Sequence, residues 1–316
     1  MFFVGYVYDE LMLLHQSDDL SFPECPNRIK VIYDELLKRN YLPFMVKIES
    51  KNITYDELLM VHGKKYIDKL IKIFSQNNKV IKAHFQSYDS MYANEHSLTS
   101  SGIAAGSTLN LMKSILNGTI RHGVAIVRPP GHHGKTNCAA GFCIFNNIAI
   151  SAKYVLEQGY RVAIIDFDVH FGDGTYQLLK KEKQSLFISI HRYDHGEFYP
   201  GTGKARNTAN ILSIPINYDA FDDDYYRIFD QHVISKLNKF NPDIILISAG
   251  FDAAEGDPLG GFHLTPNCYY NMTKMLLAYK KPVMLVLEGG YNLTSVANSM
   301  SECVRALLED VDAIKN

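Results

Sequence analysis

An α/β fold built on a mostly parallel sheet is what this sequence predicts, on three observations. Short apolar runs without alternation recur along the chain: GVAIVR at 123–128, RVAIID at 161–166, SLFISIH at 185–191, DIILISAG at 243–250 and PVMLVLE at 282–288. Continuous rather than alternating hydrophobicity implies strands buried on both faces. Stretches of helical character separate the runs, the order expected of β-α-β units. Third, glycines, carboxylates and histidines follow the runs, so they collect at strand carboxyl ends, the rim where open parallel sheets bind ligands.

Taken in order, the amino terminus MFFVGYVYDELMLLH reads as a first strand, because it has no basic leader region and meets Asp9 and Glu10 early, unlike a signal peptide. NRIKVIYDELLKRN predicts a helix, TYDE at Thr54 to Glu57 a capping-box helix start, and SLTSSGIAAGSTLNLMKSILNG a long helix. NNIAISAKYVLEQG should end at the helix-stopping Gly159, and TPNCYYNMTKMLLAY should begin after Thr265 with Pro266 in its first turn. No repeat, low-complexity stretch or linker divides the 316 residues, so a single domain over 1–316 is expected.

Lys plus Arg number 32 against 34 Asp plus Glu, a net charge of -2, which argues against bulk attraction to nucleic acid or an anionic membrane and leaves room only for a local patch. No direct nucleic-acid binding and no membrane contact is therefore expected. The runs PVMLVL and IILIS are far too short to span a bilayer, which predicts a soluble protein. Five scattered cysteines without a Cys-x-x-Cys spacing predict reduced thiols in an intracellular compartment. KKEK at 180–183 is too short and interrupted for an import signal, so nucleus and cytoplasm both remain open.

The chemistry centres on DFDVHFGDGT, residues 166–175, where three carboxylates and a histidine lie between the apolar VAII and two glycines. Burying like charges so close is costly unless a cation or protons compensate them. Asp168 and His170 stand two apart, which on an extended segment points both side chains one way, and Asp252 completes an Asp-His-Asp set. Three protein ligands leave room for water and substrate, as in a catalytic metal site; mixed oxygen and nitrogen donors suit Zn2+, with Fe2+, Co2+ and Mn2+ as alternatives. His132 and His133 follow a Pro-Pro-Gly turn that leaves both rings near the rim. A neutral imidazole there can take a proton from an attacking water and return it to a leaving amine. Asp166 and Asp173, not needed as ligands, would orient the two histidines. Tyr291, behind two glycines, has a phenol able to donate to a developing oxyanion. Metal, base and oxyanion donor together describe amide hydrolysis.

Each element also has a bland reading. Rim carboxylates cap helices, and Asp252 alone would be an N-cap; Gly289-Gly290-Tyr291 can be a strand-to-helix turn with a packed tyrosine; Arg28 in CPNRI can be a helix-surface cation. Phe142 and the pair Phe198-Tyr199 can be core aromatics, although near a metal two facing rings would form a slot for a straight alkyl chain. Five such elements, in order and each at a strand end, favour one site.

VRPPGHHG, AAGFCIFNN, DFDVHFGDGT, HRYDHGEFYPGTG, SAGFDAAEGDPLGG and LEGGYNLTS resemble, in order and spacing, the zinc-dependent histone deacetylases, class II members most, from about Gly5 to Leu308. The resemblance implies the single-domain arginase-deacetylase fold, an eight-stranded mainly parallel sheet between helices. It also implies hydrolysis of the acetyl amide of lysine in histone tails or other proteins such as tubulin. By the same resemblance Asp168, His170 and Asp252 match the zinc ligands, His133 the general base and acid, His132 its electrostatic companion and Tyr291 the carbonyl-polarising tyrosine. Asp166 and Asp173 match the carboxylates behind the histidines; Gly141, Phe142, Tyr199 and Leu259 match the substrate tunnel; Arg28 matches an arginine lining an internal acetate-release cavity. Asp166, Asp168, His170, Ser189 and Ile190 match a structural K+ site, and a corepressor complex is a partner the family implies.

Departures from the family pattern matter as much. The residue before the proline of the GTG loop is usually Phe and here is Tyr199, which adds a hydroxyl to the tunnel wall. Tyr291 is retained where weakly active members carry histidine, which predicts real turnover. Polyamine deacetylases of the family have a glutamate in the GDP segment; Leu259 stands here, so a cationic polyamine lacks its counter-charge and peptidyl lysine is favoured. The competing readings are thus an acetylpolyamine amidohydrolase, a binuclear manganese ureohydrolase, which would need more Asp and His ligands, and a non-catalytic scaffold, against which the intact constellation counts.

Overall fold

The computed structural model describes residues 3–217 and 219–312; Met1, Phe2, Tyr218 and residues 313–316, which the expected domain and first strand include, lie outside the described residues. Strands are β1 (Val4–Val7), β2 (Met45–Lys47), β3 (His122–Ala125), β4 (Val162–Asp166), β5 (Ser185–Arg192), β6 (Arg206–Asn207), β7 (Ile211–Ile216), β8 (Ile244–Ala249) and β9 (Val283–Leu287). They form one sheet in the order β2-β1-β3-β9-β8-β4-β5-β7-β6. Eight of its strands run parallel, and β6 alone turns back antiparallel on β7. The expected eight-stranded parallel sheet is present, with a ninth, two-residue edge strand that carries no apolar signal because both its residues are exposed.

Every residue of β3, β4, β8 and β9 is buried, as continuous apolar runs require of strands covered on both faces. Helices supply the cover: α1 (Asn27–Lys38) and α10 (Pro266–Leu277) both pack on α11 (Leu293–Asp310), and α5 (Ser97–Leu116) packs on α6 (Asn147–Glu157). Smaller helices are α2 (Tyr55–Leu59), α3 (Lys64–Phe74), α4 (Asn78–Phe85), α7 (Asp173–Leu179), α8 (Asp222–Ile228) and α9 (Ile234–Phe240). The expected caps occur. Thr54 and Glu57 form the capping box of α2, Thr265 caps α10 with Pro266 at its first position, and Gly159 follows α6 at φ +83°.

Chain order explains why one site can gather residues from distant segments. The segments after β3, β4, β8 and β9 hold the candidate residues, and those strands are consecutive neighbours, β3-β9-β8-β4. Their carboxyl ends therefore open side by side. No helix among the described residues is long and apolar enough to cross a membrane.

Candidate active site

Arg128 begins the turn that carries the two histidines, and it is fully buried. Its guanidinium donates to both oxygens of Glu24, at 2.9 and 2.8 Å, and to Met12 O at 2.7 Å. Glu24 also accepts from Arg28 at 3.0 Å and from the Tyr92 hydroxyl at 2.7 Å. Burial alone would push this carboxyl up, but the two guanidiniums hold it well below the usual range. Further along, Glu288 at the end of β9 accepts from the backbone N–H groups of Gly131 at 2.7 Å and His132 at 3.0 Å. His62 completes the clamp: its Nδ1 stands 2.9 Å from Lys135 O, and its Nε2 accepts from Asn146 N at 3.0 Å.

On this frame His132 Nδ1 meets Asp166 Oδ2 at 3.1 Å and His133 Nδ1 meets Asp173 Oδ1 at 2.8 Å, so each expected carboxylate backs its expected histidine. Lys135 Nζ holds the other oxygen of Asp173 at 2.7 Å. The two rings differ in charge. Burial, reinforced by positive His132, pushes His133 down to about 4. Burial opposes charge on His132 too, but Asp168 and Asp166 overcome it and raise its pKa well above the ordinary value. Asp173 would rise through burial, yet its bonds to His133 and Lys135 hold it low.

Asp168, His170 and Asp252 offer one ligand atom each within 4.8 Å of one another, all buried. Strand β4 ends at Asp166, so the expected extended segment is instead a turn, closed by His170 N donating to Asp168 Oδ1 at 2.9 Å. Its apolar members Phe167 and Val169 are fully buried in the core. Asp252 is no N-cap: it accepts from Val169 N at 2.8 Å and lies 3.0 Å from His170 Nδ1. Gly289 N donates to Asp168 Oδ2 at 2.8 Å, and a Cβ at Gly289 would lie 2.2 Å from Asp252 Oδ2, so no larger residue fits behind the trio.

A divalent cation fits this donor set. Burial lifts Asp252 to about 7 and Asp166 to about 6, while hydrogen bonds donated to Asp168 and Asp252 overcome burial and raise His170 to about 9. Mixed carboxylate and imidazole donors suit Zn2+ and its neighbours in the first transition row.

Above the trio lies a cavity of about 290 Å3 lined by His133, His170, Tyr291, Phe142, Tyr199 and Leu259, with Gly141, Phe198 and Ser90 completing it. Tyr199 meets His133 edge-on at 5.1 Å and Phe198 stacks on His170 at 5.1 Å; opposite them Phe142 meets Tyr291 edge-on at 5.7 Å. Gly141 has φ +51° and a Cβ there would lie 2.5 Å from the His133 ring, which binds this position to glycine. Arg28 is a fully buried residue of α1, not a surface cation; it donates to Gly290 O at 2.6 Å and to Glu288 O, and its guanidinium lies 4.9 Å over the Tyr291 ring. It therefore sits behind Tyr291 rather than in the cavity. Ser189 and Ile190 are fully buried on β5, where Ser189 is in register with Asp166.

Sequence reasoning missed the frame of Glu24, Arg128, Glu288, His62 and Lys135, and with it Ser90 and Asp257. Asp257 Oδ2 accepts from Tyr291 N at 2.6 Å and Asn292 N at 3.2 Å, while its Oδ1 accepts from Leu259 N at 2.9 Å and Gly260 N at 3.3 Å. Its signal was present in GDPLGG, an acid between glycine and proline ready to accept turn N–H groups.

The His62 clamp has a measurable consequence. Its Nε2 accepts from a backbone N–H, so protonation would set two donors against each other, and burial pushes the ring down to about 4. His15 and His191 are likewise buried, lowered to about 3 and about 4. The unfolded chain protonates these three first, so their contribution to stability is complete above pH 6.5 and falls as pH drops toward 4, by about 1.4 kcal/mol per unit for each histidine. In this window His62→Gln should reduce proton uptake on unfolding by about one. An unchanged uptake in that variant refutes the assignment.

The fold and site together define a protein of the arginase-deacetylase class, with its donor trio at the carboxyl ends of adjacent parallel strands. Within that class the chain belongs to the histone deacetylase family: residues 22–307 match the family description "Histone deacetylase domain". It is 38% identical to histone deacetylase 5 of Arabidopsis thaliana over 97% of this chain and 49% of that protein. Identity to histone deacetylase HDA1 of Saccharomyces cerevisiae is 32%, over 96% of this chain and 48% of that protein. The solved structure titled "Crystal Structure of HDA15 HD domain" superposes with a TM-score of 0.91 at 37% identity, covering 98% of this chain and 88% of that one. This chain spans about half the length of the curated relatives it matches.

Proposed function

We propose that this protein hydrolyses the acetyl amide of N6-acetyl-lysine in proteins, with histone tails as substrate class and non-histone proteins such as tubulin within reach of the same chemistry. The observation that carries this reading is the coincidence, at one cavity, of a carboxylate-backed histidine, a half-buried phenol and a three-donor metal set that reaches the cavity through His170. The family match supports taking 1–316 as one catalytic domain. Asp168, His170 and Asp252 would hold a zinc ion, which when bound supplies Lewis-acid polarisation of the amide carbonyl and acidifies an adjacent water.

The chain's own residues supply the rest. His133, neutral and oriented by Asp173 through Nδ1, presents Nε2 to the cavity; it takes the proton of the attacking water and hands it to the departing lysine amine. His132, charged and backed by Asp166, stabilises the negative charge that develops nearby. Burial raises Tyr291 well above the ordinary phenol value, so at neutral pH its hydroxyl is a donor to the carbonyl oxygen as that atom gains charge. Phe142 and Tyr199 flank the lysine methylenes, and Gly141 and Leu259 shape the wall and mouth. Arg28, behind Tyr291, suits the departing acetate. A K+ ion would be held by oxygens of Asp166, Asp168, His170, Ser189 and Ile190, a reading supported by the pairing of Asp166 at the end of β4 with Ser189 on β5. Membership of a corepressor complex and a nuclear or cytoplasmic location accompany this reading.

Acetylpolyamine hydrolysis is disfavoured because Leu259, not an acid, stands at the mouth. The zinc-loaded protein should turn over an acetylated histone-tail peptide with a kcat/KM at least about tenfold above that on N8-acetylspermidine, and a chelator should abolish both. Equal efficiencies would assign it to polyamines, and chelator-resistant turnover would remove the metal from the reading.

A further inference from the structure

The balanced net charge conceals a segregation. Arg161, Lys180, Lys181, Lys183, Lys236 and Lys239 line a single open cleft of about 870 Å3 together with Asn207, Thr208 and Asn210, and no carboxylate lines it. Lys180 is shared with a second cleft of about 450 Å3, which adds the exposed Lys204 and Arg206, reaches Gly201–Gly203, just beyond the cavity wall at Tyr199, and contains one acid, Asp173, neutralised by Lys135 at 2.7 Å. Among the described residues none of these eight cations lies within 4.0 Å of a carboxylate, whereas Arg39, Lys113 and Arg305 elsewhere are each paired. The one acid in KKEK, Glu182, is taken by Lys153 at 2.6 Å.

Keeping an edge strand from pairing with another chain accounts for Arg206 on β6. It does not account for Lys181 and Lys183 after α7, or Lys239 on α9, which stand off that strand. Nor does the proposed substrate explain them, since a lysine-rich tail would be repelled. The geometry points to a docking surface for the phosphate backbone of double-stranded DNA, running from the cavity rim past α7 and β6 to the amino ends of β4 and β5. Lysines from separate elements spread along a track match a polyanion of regular charge, and the polar side chains between them hold the track in place: Lys236 donates to Asn207 Oδ1 at 2.7 Å, and Asn210 donates to Lys180 O at 3.1 Å. A duplex is favoured over single strands because the rings lining the two clefts are covered or buried: Arg161 covers Phe240 at 4.5 Å, Lys180 and Arg206 cover Tyr176 at 5.3 and 5.6 Å, and Phe171 and Tyr193 are buried. Histones present their tails from DNA-wrapped cores, so such a track would hold the duplex beside the cavity that receives the tail. That last link alone rests on the proposed deacetylation.

The test is fluorescence anisotropy of a short labelled DNA duplex titrated with the full chain over a series of salt concentrations, with no acetylated substrate present, so that failure of the hydrolytic reading leaves the result intact. The triple variant Lys181→Glu, Lys183→Glu, Lys239→Glu changes exposed side chains without hydrogen bonds and should keep the melting temperature and peptide turnover. Its affinity at about 50 mM salt should fall at least tenfold, and the slope of log Kd against log salt should shrink by about three. A variant with the same charge change on α3, Lys65→Glu, Lys69→Glu, Lys72→Glu, should lose no more than about twofold. Equal losses in both variants, an unchanged salt slope, or displacement of the duplex by polyglutamate at equal charge concentration would each overturn the proposal.

Discussion

Replacing His133 by asparagine should lower kcat on an acetyl-lysine peptide by about 100- to 10,000-fold, the range supplied by a positioned base. The expectation follows from three placements. Its ring lines the cavity, its Nδ1 is tied to Asp173 at 2.8 Å, and its burial beside positive His132 keeps it unprotonated at neutral pH. His133 is not among the three metal donors, so zinc stoichiometry should be unchanged in the variant. Stability should be little affected as well, because Lys135 at 2.7 Å still neutralises Asp173. Asp173→Asn, which leaves the ring but loosens its orientation, should cost about 10- to 100-fold. If the His133 variant keeps more than roughly a tenth of the activity while His132→Asn loses it, the two histidines have exchanged roles.

Tyr291→Phe removes only a hydroxyl and should still cost about 100- to 1,000-fold in kcat, with KM nearly unchanged, the signature of a contact made in the transition state. The ring's surroundings survive the change, since Phe142 at 5.7 Å and the Arg28 guanidinium at 4.9 Å contact the ring itself. Equal losses of kcat and of thermal stability would instead make Tyr291 a packing residue. Turnover at the wild-type rate would remove it from the chemistry.

How much of this was legible in the sequence depends on range. β3, β4, β8 and β9 announced themselves because strands buried on both faces must be apolar throughout. β7 hid behind Pro215, which reads as a strand breaker but is accommodated near the sheet edge in register with His191. β2 and β6, of three and two residues, are set by their neighbours rather than by their own pattern. The donor trio was legible because Asp-x-His spacing and strand-end placement are local features. Glu24 and Glu288 were not, because their role is to accept from groups more than 100 residues away, as in the Arg128 and Gly131 bonds. A one-dimensional reading has no term for such an approach. The turn at Asp168–His170 was misread for a related reason: alternation survives in DFDVHF, but its geometry comes from hydrogen bonds to Asp168 and Asp252 rather than from a pleat.

Asp257 gives the molecule a property that neither the mouth nor the reacting group has alone. One oxygen holds the backbone of Leu259 and Gly260, the other that of Tyr291 and Asn292. A change that re-shapes the entrance therefore pulls on the same carboxylate that aims the phenol. Selection for a new substrate at the Leu259 segment would trade against rate from its first step, so lineages built on this frame should diversify through the opposite wall, at Ser90 and Tyr199, before they alter the acid-anchored loop.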